Sequence, residues 1–256
     1  MTSVIKLKGK GLTRIIKSKV ILSPLAGVTD KIFRKLVRKW APDSLLFTEM
    51  INATSLKKGY GSRKINQLEL EEGPVGVQIF DNRPYAVSEA AKLAEDSGAF
   101  LIDINMGCPV KKISKKGGGS ALIKDRLLAI ELVKRVSMAV QIPVTVKTRL
   151  GWDNKEENIE EFLLNLQDSG ATMITIHGRT RKEGFSGVAD WQMIGRIKKL
   201  LEIPVIANGD IKDPKDALNC LKQTNADGLM IGRGILGSPW KIGEIDHAIK
   251  ELQGFN

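Results

Sequence analysis

The feature that most constrains the fold is a regular alternation, along nearly the whole chain, of short β-branched runs with longer amphipathic stretches. Eight short runs are predicted as strands, at residues 20–25, 45–48, 74–79, 100–104, 143–147, 173–177, 204–207 and 228–231. Helical patterns separate them, at residues 30–40, 84–96, 120–140, 155–168, 190–201 and 214–223, with a short irregular piece near 53–57 and a last helix from about 239. Eight strand–helix units in 256 residues predict an α/β fold, a single-domain TIM (β/α)8 barrel. A doubly wound sheet is the alternative, although it rarely needs eight regular units.

Composition narrows the class of protein further. Hydrophobic residues make up 42% of the chain, which is enough for a sizeable core and excludes a disordered protein. The two cysteines, Cys108 and Cys220, exclude a disulfide scaffold and suit a reducing compartment. No apolar run approaches the ~20 residues that span a bilayer, and lysines interrupt the N-terminus where a signal peptide needs an apolar stretch. We therefore expect a soluble, cytoplasmic protein.

The net charge of +11 is concentrated in two segments. Residues 1–40 hold eleven basic side chains against one acid, and residues 111–126 hold six against one. This distribution favours a polyanion-binding face, although lysine-rich faces are often only solvated surface. Residues 31–40 are also amphipathic at helical spacing, which predicts an outer helix covering a sheet rather than a helix lying on a membrane. The predicted apolar face comprises Ile32, Phe33, Leu36, Val37 and Trp40.

Chemically versatile residues cluster where the predicted strands end. In (β/α)8 barrels the active site lies at the carboxyl ends of the strands. The residues in those positions are Gln78, Asn105, Cys108, Lys147, Arg149, His177, Arg179, Asn208 and Asp210. Chance placement would scatter them among helices and loops at both ends of the barrel, so the sequence predicts a single site at one mouth.

Strands seven and eight end in glycine-rich turns, Asn208-Gly209-Asp210 and Gly232-Arg233-Gly234. These two loops are the usual phosphate-binding place of the barrel, because glycine lets backbone amides approach an anion closely. Arg233 adds a guanidinium that suits a forked contact with phosphate. The alternative is that the glycines only make tight turns.

Lys147 and His177 end neighbouring strands that face the barrel interior. A lysine there is costly to bury without an anion, and a phosphate or the electron-rich edge of a reduced flavin would satisfy it. Pairing of Lys147 with a barrel carboxylate such as Asp103 is the alternative, and His177 is alternatively a hydrogen-bonded core histidine. Metal binding is not favoured, because His247 lies in the C-terminal helix and the ligand-type residues show no ligand spacing.

Cys108 follows a buried strand directly and precedes a loop rich in lysine and glycine, residues 111–120. An unperturbed thiol has a pKa of ~8.5, so it is mostly protonated near neutrality and can donate a proton. A nucleophilic role would require a base partner, and no Cys-His-Asn order is evident. Cys220, inside a helical pattern, is interpreted as a small buried hydrophobe.

At these residues the sequence resembles the tRNA-dihydrouridine synthase family. The resemblance extends from about residue 21 to 240 and is closest to the bacterial B-type subgroup. It is carried, in order, by SPLAGVTD, GPVGVQIF, IDINMGCPVKKISKKGGGSAL, VKTRLGW, IHGRTR followed by ADW, NGDI and IGRGILGSPW. The resemblance implies an FMN-dependent enzyme that uses NADPH to reduce the C5–C6 double bond of a uridine in tRNA.

The resemblance implies a role for each matching position. The implied FMN-binding residues are Pro24, Leu25, Ala26, Gln78, Lys147, His177, Asn208, Gly209, Asp210, Gly232 and Arg233. Asn105 is implied to lie beside the substrate base, and Cys108 is implied to be the general acid. Hydride would pass from N5 of FMN to C6 of the uracil, and Cys108 would protonate C5 from the other side.

The substrate implied is a D-loop uridine of tRNA, which must be extruded from the folded RNA to reach the barrel mouth. Arg179, Arg181, Lys111 and Lys112 are the candidate residues for contacts with backbone phosphates. Two other functions remain as alternatives: an FMN barrel that acts on a small molecule, and a tRNA-binding protein that is catalytically impaired.

Two features depart from the family pattern. Phe185 stands where tyrosine is usual, which removes any hydroxyl role at that position. Family members also carry a helical C-terminal domain that grips tRNA, and most of it has no counterpart in this sequence. We therefore expect residues 1–240 to form the FMN-binding barrel and residues 241–256 to form a short closing helix, a remnant or the start of that domain. A partner protein would then be one source of the missing grip on tRNA.

Overall fold

The computed structural model describes residues 4–66, 68–153 and 158–254. The strands are β1 (Ile5–Lys8), β2 (Thr13–Ile16), β3 (Val20–Leu22), β4 (Leu46–Phe47), β5 (Ile51–Asn52), β6 (Val75–Phe80), β7 (Leu101–Asn105), β8 (Val144–Arg149), β9 (Ile174–His177), β10 (Val205–Asn208) and β11 (Gly228–Ile231). The helices are α1 (Lys31–Arg38), α2 (Ala53–Lys57), α3 (Pro84–Asp96), α4 (Lys111–Ser114), α5 (Arg126–Ala139), α6 (Ile159–Asp168), α7 (Trp191–Lys198), α8 (Pro214–Thr224) and α9 (Lys241–Gly254). Single 3-10 turns occur at Ser62–Lys64, Leu68–Leu70, Gly119–Ile123 and Arg233–Ile235.

Eight parallel strands form the barrel wall, in the order β3, β11, β10, β9, β8, β7, β6 and β4. A parallel bridge between Ile21 and Leu45 closes the ring, and the Leu22 amide donates to the Leu45 carbonyl at 2.9 Å. The predicted TIM (β/α)8 fold is confirmed. Each predicted strand overlaps one of these barrel strands, with bounds that differ by at most a few residues.

The register of the wall brings the predicted site residues side by side. Asn105 is opposite Lys147 across the β7–β8 ladder, and His177 is opposite Asn208 across the β9–β10 ladder. Because side chains alternate between the two faces of a strand, these residues and Gln78 of β6 all point into the barrel near its carboxyl end. A closely packed apolar layer lies below them, with members that include Leu101, Met173 and Ile206.

An antiparallel hairpin of β1 and β2, which the sequence analysis did not predict, covers the other end of the barrel. Its Ile5, Leu7 and Ile16 are buried against the first inward residues of the barrel strands. Lys6 and Lys8 alternate with the buried residues and are exposed. The basic residues of this hairpin therefore lie at the opposite end of the barrel from residues 111–126, which follow the carboxyl end of β7.

The predicted apolar face of residues 31–40 is correct for Val37 and Phe33, which pack in or against the core, and wrong for Ile32, Leu36 and Trp40. Helix α1 buries Arg34, Val37 and Arg38, whereas Ile32 is 80% exposed and Trp40 is exposed as well. Polar partners explain the difference. Arg34 pairs with Glu71 and donates to the Thr29 carbonyl, and Arg38 donates to the carbonyls of Pro42, Ser44 and Pro74. Buried carbonyls need donors, so these two cations serve the fold rather than a polyanion.

Three predicted helices begin or divide differently in the structure. The stretch 120–140 is a 3-10 turn followed by α5, which begins where the Asp125 carboxylate accepts from the Leu128 amide at 3.2 Å. Of the helix predicted at 155–168, residues 155–157 lie outside the described residues, and α6 begins at Ile159. The last helix is α9; residues 255 and 256 of its predicted segment, like residues 1–3 of the predicted barrel, also lie outside the described residues. Over the described ranges, no helix is both long and apolar enough to cross a membrane.

Candidate active site

A cavity of about 700 Å³ opens at the carboxyl ends of the barrel strands. Of the seventeen residues to which the sequence analysis assigned a role in the site, fourteen line it: Pro24, Leu25, Ala26, Gln78, Asn105, Cys108, Lys147, His177, Arg179, Asn208, Gly209, Asp210, Gly232 and Arg233. The structure thus brings together the predicted cofactor-binding residues, the predicted general acid and two of the predicted substrate-binding residues. Arg181, Lys111 and Lys112 lie outside this lining.

The loop that carries Cys108 is held from both sides. Asn105 Oδ1 accepts from the backbone amides of Gly107 at 3.1 Å and Cys108 at 2.9 Å. From the other side, the Ser120 amide donates to the Cys108 carbonyl at 3.1 Å. Gly119 has a φ of +60°, and a Cβ there would lie 2.9 Å from the same carbonyl oxygen, so only glycine fits against the loop.

The thiol of Cys108 is suited to hold a proton. It is partly buried at the cavity wall. Burial raises the pKa of this thiol above its ordinary value, although the charges of Arg149 and Lys147 act in the other direction. The thiol is therefore protonated at neutral pH and can serve as an acid.

Lys147 reaches into the cavity and is oriented by Asn208. Its Nζ donates to Asn208 Oδ1 at 3.0 Å, and Asn208 Nδ2 donates to the Met230 carbonyl at 2.7 Å. Burial, aided by the charge of Arg149, lowers the pKa of Lys147 to about 8. Asp103 opposes that shift through its charge, but the lysine directs its hydrogen bond to the amide of Asn208. The arrangement differs from the buried ion pair considered as an alternative.

His177 is neutral at physiological pH. Burial, together with the charges of Lys147, Arg149, Arg179 and Arg233, lowers its pKa to about 2. Arg179 Nη1 lies 3.3 Å from His177 Nε2. A guanidinium only donates, so Nε2 is the accepting nitrogen and the ring proton resides on Nδ1. The same four cations make the cavity strongly electropositive.

Arg179 is engaged inside the protein, which does not favour the predicted phosphate contact. Its Nη2 donates to both carboxylate oxygens of Asp210, at 2.9 and 2.7 Å, and its Nε donates to the Ser186 carbonyl at 2.8 Å. The Asp210 carboxylate also accepts from the Ala189 amide at 2.7 Å. Burial alone would raise the pKa of Asp210, but the Ala189 amide and Arg179 hold it below its usual value. Asp210 therefore shapes the loop, and only its backbone is left to face an anion.

Arg149 is a structural residue of the site whose role the sequence analysis did not identify. It is 2% exposed and donates to the carbonyls of Gly107, Thr180 and Gly184. The positive charge at the end of β8 was visible in the sequence. Its partners are backbone atoms of other loops, which no sequence pattern reveals.

Phe185 stands at the mouth of the cavity, where it is 55% exposed. The guanidinium of Arg233 lies 4.2 Å from the centre of its ring and that of Arg149 lies 5.5 Å away, while the His177 ring centre is at 6.3 Å. Arg233 thus extends from the loop after β11 across to the loop after β9. The aromatic face orients two of the cations that surround the cavity.

The rim beside the Cys108 loop carries the remaining predicted residues. Lys111 and Lys112 are exposed on α4. Arg181 lies over the ring of Trp152, at 4.6 Å, and Lys124 approaches the same ring to 5.2 Å. These cations lie on one side of the mouth, where an extended polyanion can reach them.

Several lining residues were missed, among them Met50 after β4, Ser23 after β3 and Lys241 at the start of α9. Met50 had a usable signal, because it follows the second predicted strand, whose end was not considered. Lys241 had none, since it begins a helix. Among the described residues, no group of three or more His, Cys, Asp and Glu is arranged to hold a metal ion.

Comparison with known sequences gives a consistent set of relatives. Residues 21–254 match the family model described as dihydrouridine synthase. A probable tRNA-dihydrouridine synthase 1 of Synechocystis sp. is 52% identical over 92% of this chain. A probable tRNA-dihydrouridine synthase of Rickettsia bellii is 42% identical over 92% of the chain, and tRNA-dihydrouridine synthase B of Xanthomonas axonopodis pv. citri is 43% identical over 91%. The matches cover 66%, 72% and 70% of these relatives, so the chain spans about two thirds of their length.

Comparison with solved structures supports the fold. Histamine dehydrogenase from Rhizobium sp. 4-9 superimposes with a TM-score of 0.69 over 97% of this chain and 47% of that protein. The sequence identity is 15%, so the likeness concerns the architecture of the barrel and not its chemistry.

Proposed function

The chain belongs to the dihydrouridine synthase family, as its motifs predict, and on that premise we propose that it reduces a uridine in tRNA to 5,6-dihydrouridine. The observation that carries the proposal is the position of Cys108. Its protonated thiol lies at the wall of the same electropositive cavity that contains Lys147, His177 and the glycine-rich turns after β10 and β11. Reduction of a carbon–carbon double bond requires a hydride donor and a proton donor, and this cavity places an acid beside a site that suits an anionic, hydride-donating cofactor.

The residues present fit FMN as the cofactor. Burial depresses the pKa of Lys147 to about 8, which means that an anion beside its ammonium would relieve an unfavourable charge. Gly232 lines the cavity without a side chain, and a Cβ there would crowd the Ser23 side chain at 3.3 Å, so glycine keeps this wall clear for a phosphate. Lys147 and Gln78 would hold the ring, and Gly209, Gly232 and Arg233 would hold the phosphate. When bound and reduced by NADPH, FMN supplies the hydride that adds at C6 of the uracil.

The chain's own residues complete the reaction. Cys108 gives its proton to C5 of the uracil, and the buried environment that raises the pKa of the thiol keeps that proton available at neutral pH. Asn105 fixes the backbone on which Cys108 sits. His177 stays neutral and acts through hydrogen bonding, so it does not compete as the acid.

The rim would receive the RNA. A D-loop uridine must leave its stack to enter the cavity, and the flanking backbone would then lie near Lys111, Lys112 and Arg181. The catalytic work is assigned to the barrel within residues 1–240, and residues 241–256 are assigned as a closing segment. Cytoplasmic tRNA would be the substrate pool.

Nucleoside mass spectrometry tests the proposal directly. Unmodified tRNA transcripts are incubated with the chain, FMN and NADPH, and with a Cys108→Ala variant as the matched control. Dihydrouridine, recognised by two added hydrogens, should form with the parent chain. NADPH should still reduce the FMN bound to the variant, as shown by loss of the visible flavin absorbance. The variant should nevertheless form at least ~100-fold less product, because that is the usual contribution of a general acid. A chain that binds and reduces FMN but turns over only free pyrimidines would instead indicate a small-molecule oxidoreductase.

A further inference from the structure

A fully buried carboxylate, Asp103 of β7, lies below the cavity and does not line it. Its Oδ1 accepts from the Thr145 hydroxyl at 2.6 Å, and its Oδ2 accepts from Gln78 Nε2 at 2.7 Å. An ionised carboxylate can only accept hydrogen bonds. It therefore determines that the nitrogen of the Gln78 amide, and not the oxygen, faces Asp103.

The orientation of the Gln78 amide determines the orientation of the next side-chain amide toward the mouth. With its nitrogen on Asp103, Gln78 presents Oε1 to Asn105 Nδ2, which donates at 2.7 Å. Asn105 in turn presents Oδ1 to the amides of Gly107 and Cys108. Reversing any one of these side chains would set two oxygens or two N–H groups against each other. Buried polar groups left unpaired in this way cost about 1–3 kcal/mol each.

We propose that Asp103 is a positioning residue that sets the direction of the Gln78–Asn105 amide chain and thereby holds the Cys108 loop in its acid-donating position. The two ends of this series of hydrogen-bonded amides differ in rigidity. The rigid wall of the barrel carries Asp103, Gln78 and Asn105, whereas a loop carries Gly107 and Cys108. A change in hydrogen bonding at Asp103 should therefore move the loop and not the wall. The catalytic meaning of this rests on the proposed function, but the hydrogen-bond chain does not.

The ionisation state of Asp103 supports the role at neutral pH. Burial raises the pKa of Asp103 to about 6, while hydrogen bonds from Gln78 and Thr145 and the charge of Lys147 act to lower it. Gln78 faces it from β6, and Thr145 and Lys147 face it from β8. The carboxylate is therefore mostly ionised, and acceptor-only, above pH 7.

The reactivity of the Cys108 thiol tests the proposal without tRNA or NADPH. The full chain is alkylated with iodoacetamide over a range of pH, and modification of Cys108 is followed by peptide mass spectrometry, with the fully buried Cys220 as an internal reference. In Asp103→Asn the Gln78 amide can adopt either orientation, which releases the loop. The thiol then loses burial, its pKa falls toward the ordinary value, and alkylation at pH 7.5 rises about fivefold or more.

Two further variants separate the amide chain from general packing. Gln78→Leu interrupts the chain at its middle and should shift the profile in the same direction, and the double variant should shift it no further than the larger single effect. Thr145→Val removes the other hydrogen bond to the same carboxylate, which also raises the pKa of Asp103, but it leaves the contact with Gln78 in place and should shift the profile less than Asp103→Asn does.

The proposal is overturned if Asp103→Asn has the parent profile, or if Thr145→Val shifts the profile as far as Asp103→Asn does. If Asp103→Asn does not fold, an unchanged profile in Gln78→Leu overturns it, because no effect can cross that gap. The outcome is independent of product formation. If the protein makes no dihydrouridine but its variants show the expected alkylation profiles, the hydrogen-bonded amides act as proposed and the proposed function is rejected. If it makes dihydrouridine but the profiles do not change as expected, the proposed function stands and the role of Asp103 is rejected.

Discussion

Arg149 Nε donates to the carbonyl oxygen of Gly107 at 2.8 Å, so the last residue of β8 holds the backbone that leads into Cys108 after β7. The same guanidinium reaches the carbonyls of Thr180 and Gly184 through Nη1, at 3.0 and 2.8 Å. One side chain therefore joins the Cys108 loop to the loop after β9. The planar fork of arginine is needed for this, because a lysine ammonium cannot hold three carbonyls at that spacing.

We expect Arg149→Lys to lower the free energy of unfolding by about 2–4 kcal/mol, because at least one carbonyl loses a charged donor and is left buried. The same substitution should reduce dihydrouridine formation, since the Cys108 loop is no longer tied. Urea unfolding measures the first effect. Arg135→Lys, at an exposed ion pair with Glu131, is the matched control and should change stability by less than about 0.5 kcal/mol. Equal effects in the two variants would reject a special role for Arg149.

Lys147→Met should weaken the retention of FMN without lowering the stability of the flavin-free protein. The folded protein now holds a cation whose pKa is depressed by burial, so removing it should leave the free energy of unfolding of the flavin-free chain unchanged or higher. Retention of FMN should fall about tenfold or more, because the anion loses its buried partner. Equilibrium dialysis followed by visible absorbance measures retention.

The control for Lys147 is Lys92→Met, at an exposed lysine of α3 that pairs with Glu89. It should alter neither property by a measurable amount. If Lys147→Met protein remains fully yellow after dialysis, Lys147 does not hold the cofactor.

The site residues on the barrel wall could be predicted from the sequence because alternation and position are enough to place them. Asn105, Lys147, His177 and Asn208 each lie at the end of a β-branched run, and parallel strands bring their carboxyl ends to one mouth. Placing these residues requires no knowledge of their hydrogen-bond partners. The general location of the cavity followed from the pattern alone.

Residues whose role depends on a distant backbone atom could not be predicted. Arg179 was expected to meet phosphate, but its partners are Asp210 and two carbonyls of its own loop. Arg34 and Arg38 looked like part of a basic surface, and buried carbonyls draw them inward at the expense of Ile32 and Trp40. A sequence displays charges and apolar side chains, whereas unsatisfied carbonyls exist only once the loops are folded.

The lysines of the loop after Cys108 should contribute to the salt dependence of tRNA binding. Replacing Lys111, Lys112, Lys115 and Lys116 by Gln should flatten the plot of log affinity against log salt by ~0.7–0.9 for each phosphate contact that is lost. Filter binding or fluorescence anisotropy over a series of salt concentrations measures the slope.

The hairpin at the other end of the barrel provides a control with the same change in net charge. Gln substitutions at Lys6, Lys8, Lys10 and Lys17, all exposed, remove four charges far from the mouth. The slope should change less than with the loop lysines. Equal slopes in both variants would show that overall charge, and not the rim, governs binding.

The depressed pKa of His177 predicts a pH-dependent stability. The folded state holds the imidazole neutral down to about pH 2, whereas the unfolded chain takes up a proton below about pH 6.5. Between these values the unfolded state binds more protons, so acid lowers the free energy of unfolding. The raised pKa of Asp103 acts in the opposite direction below pH 6, and the difference between the parent chain and His177→Asn cancels that contribution. Urea unfolding should show the parent losing about 1.4 kcal/mol relative to the variant between pH 7.5 and 5.5. A difference independent of pH would mean that the folded protein protonates His177 as readily as the unfolded chain does, and that burial and the four nearby cations do not lower its pKa.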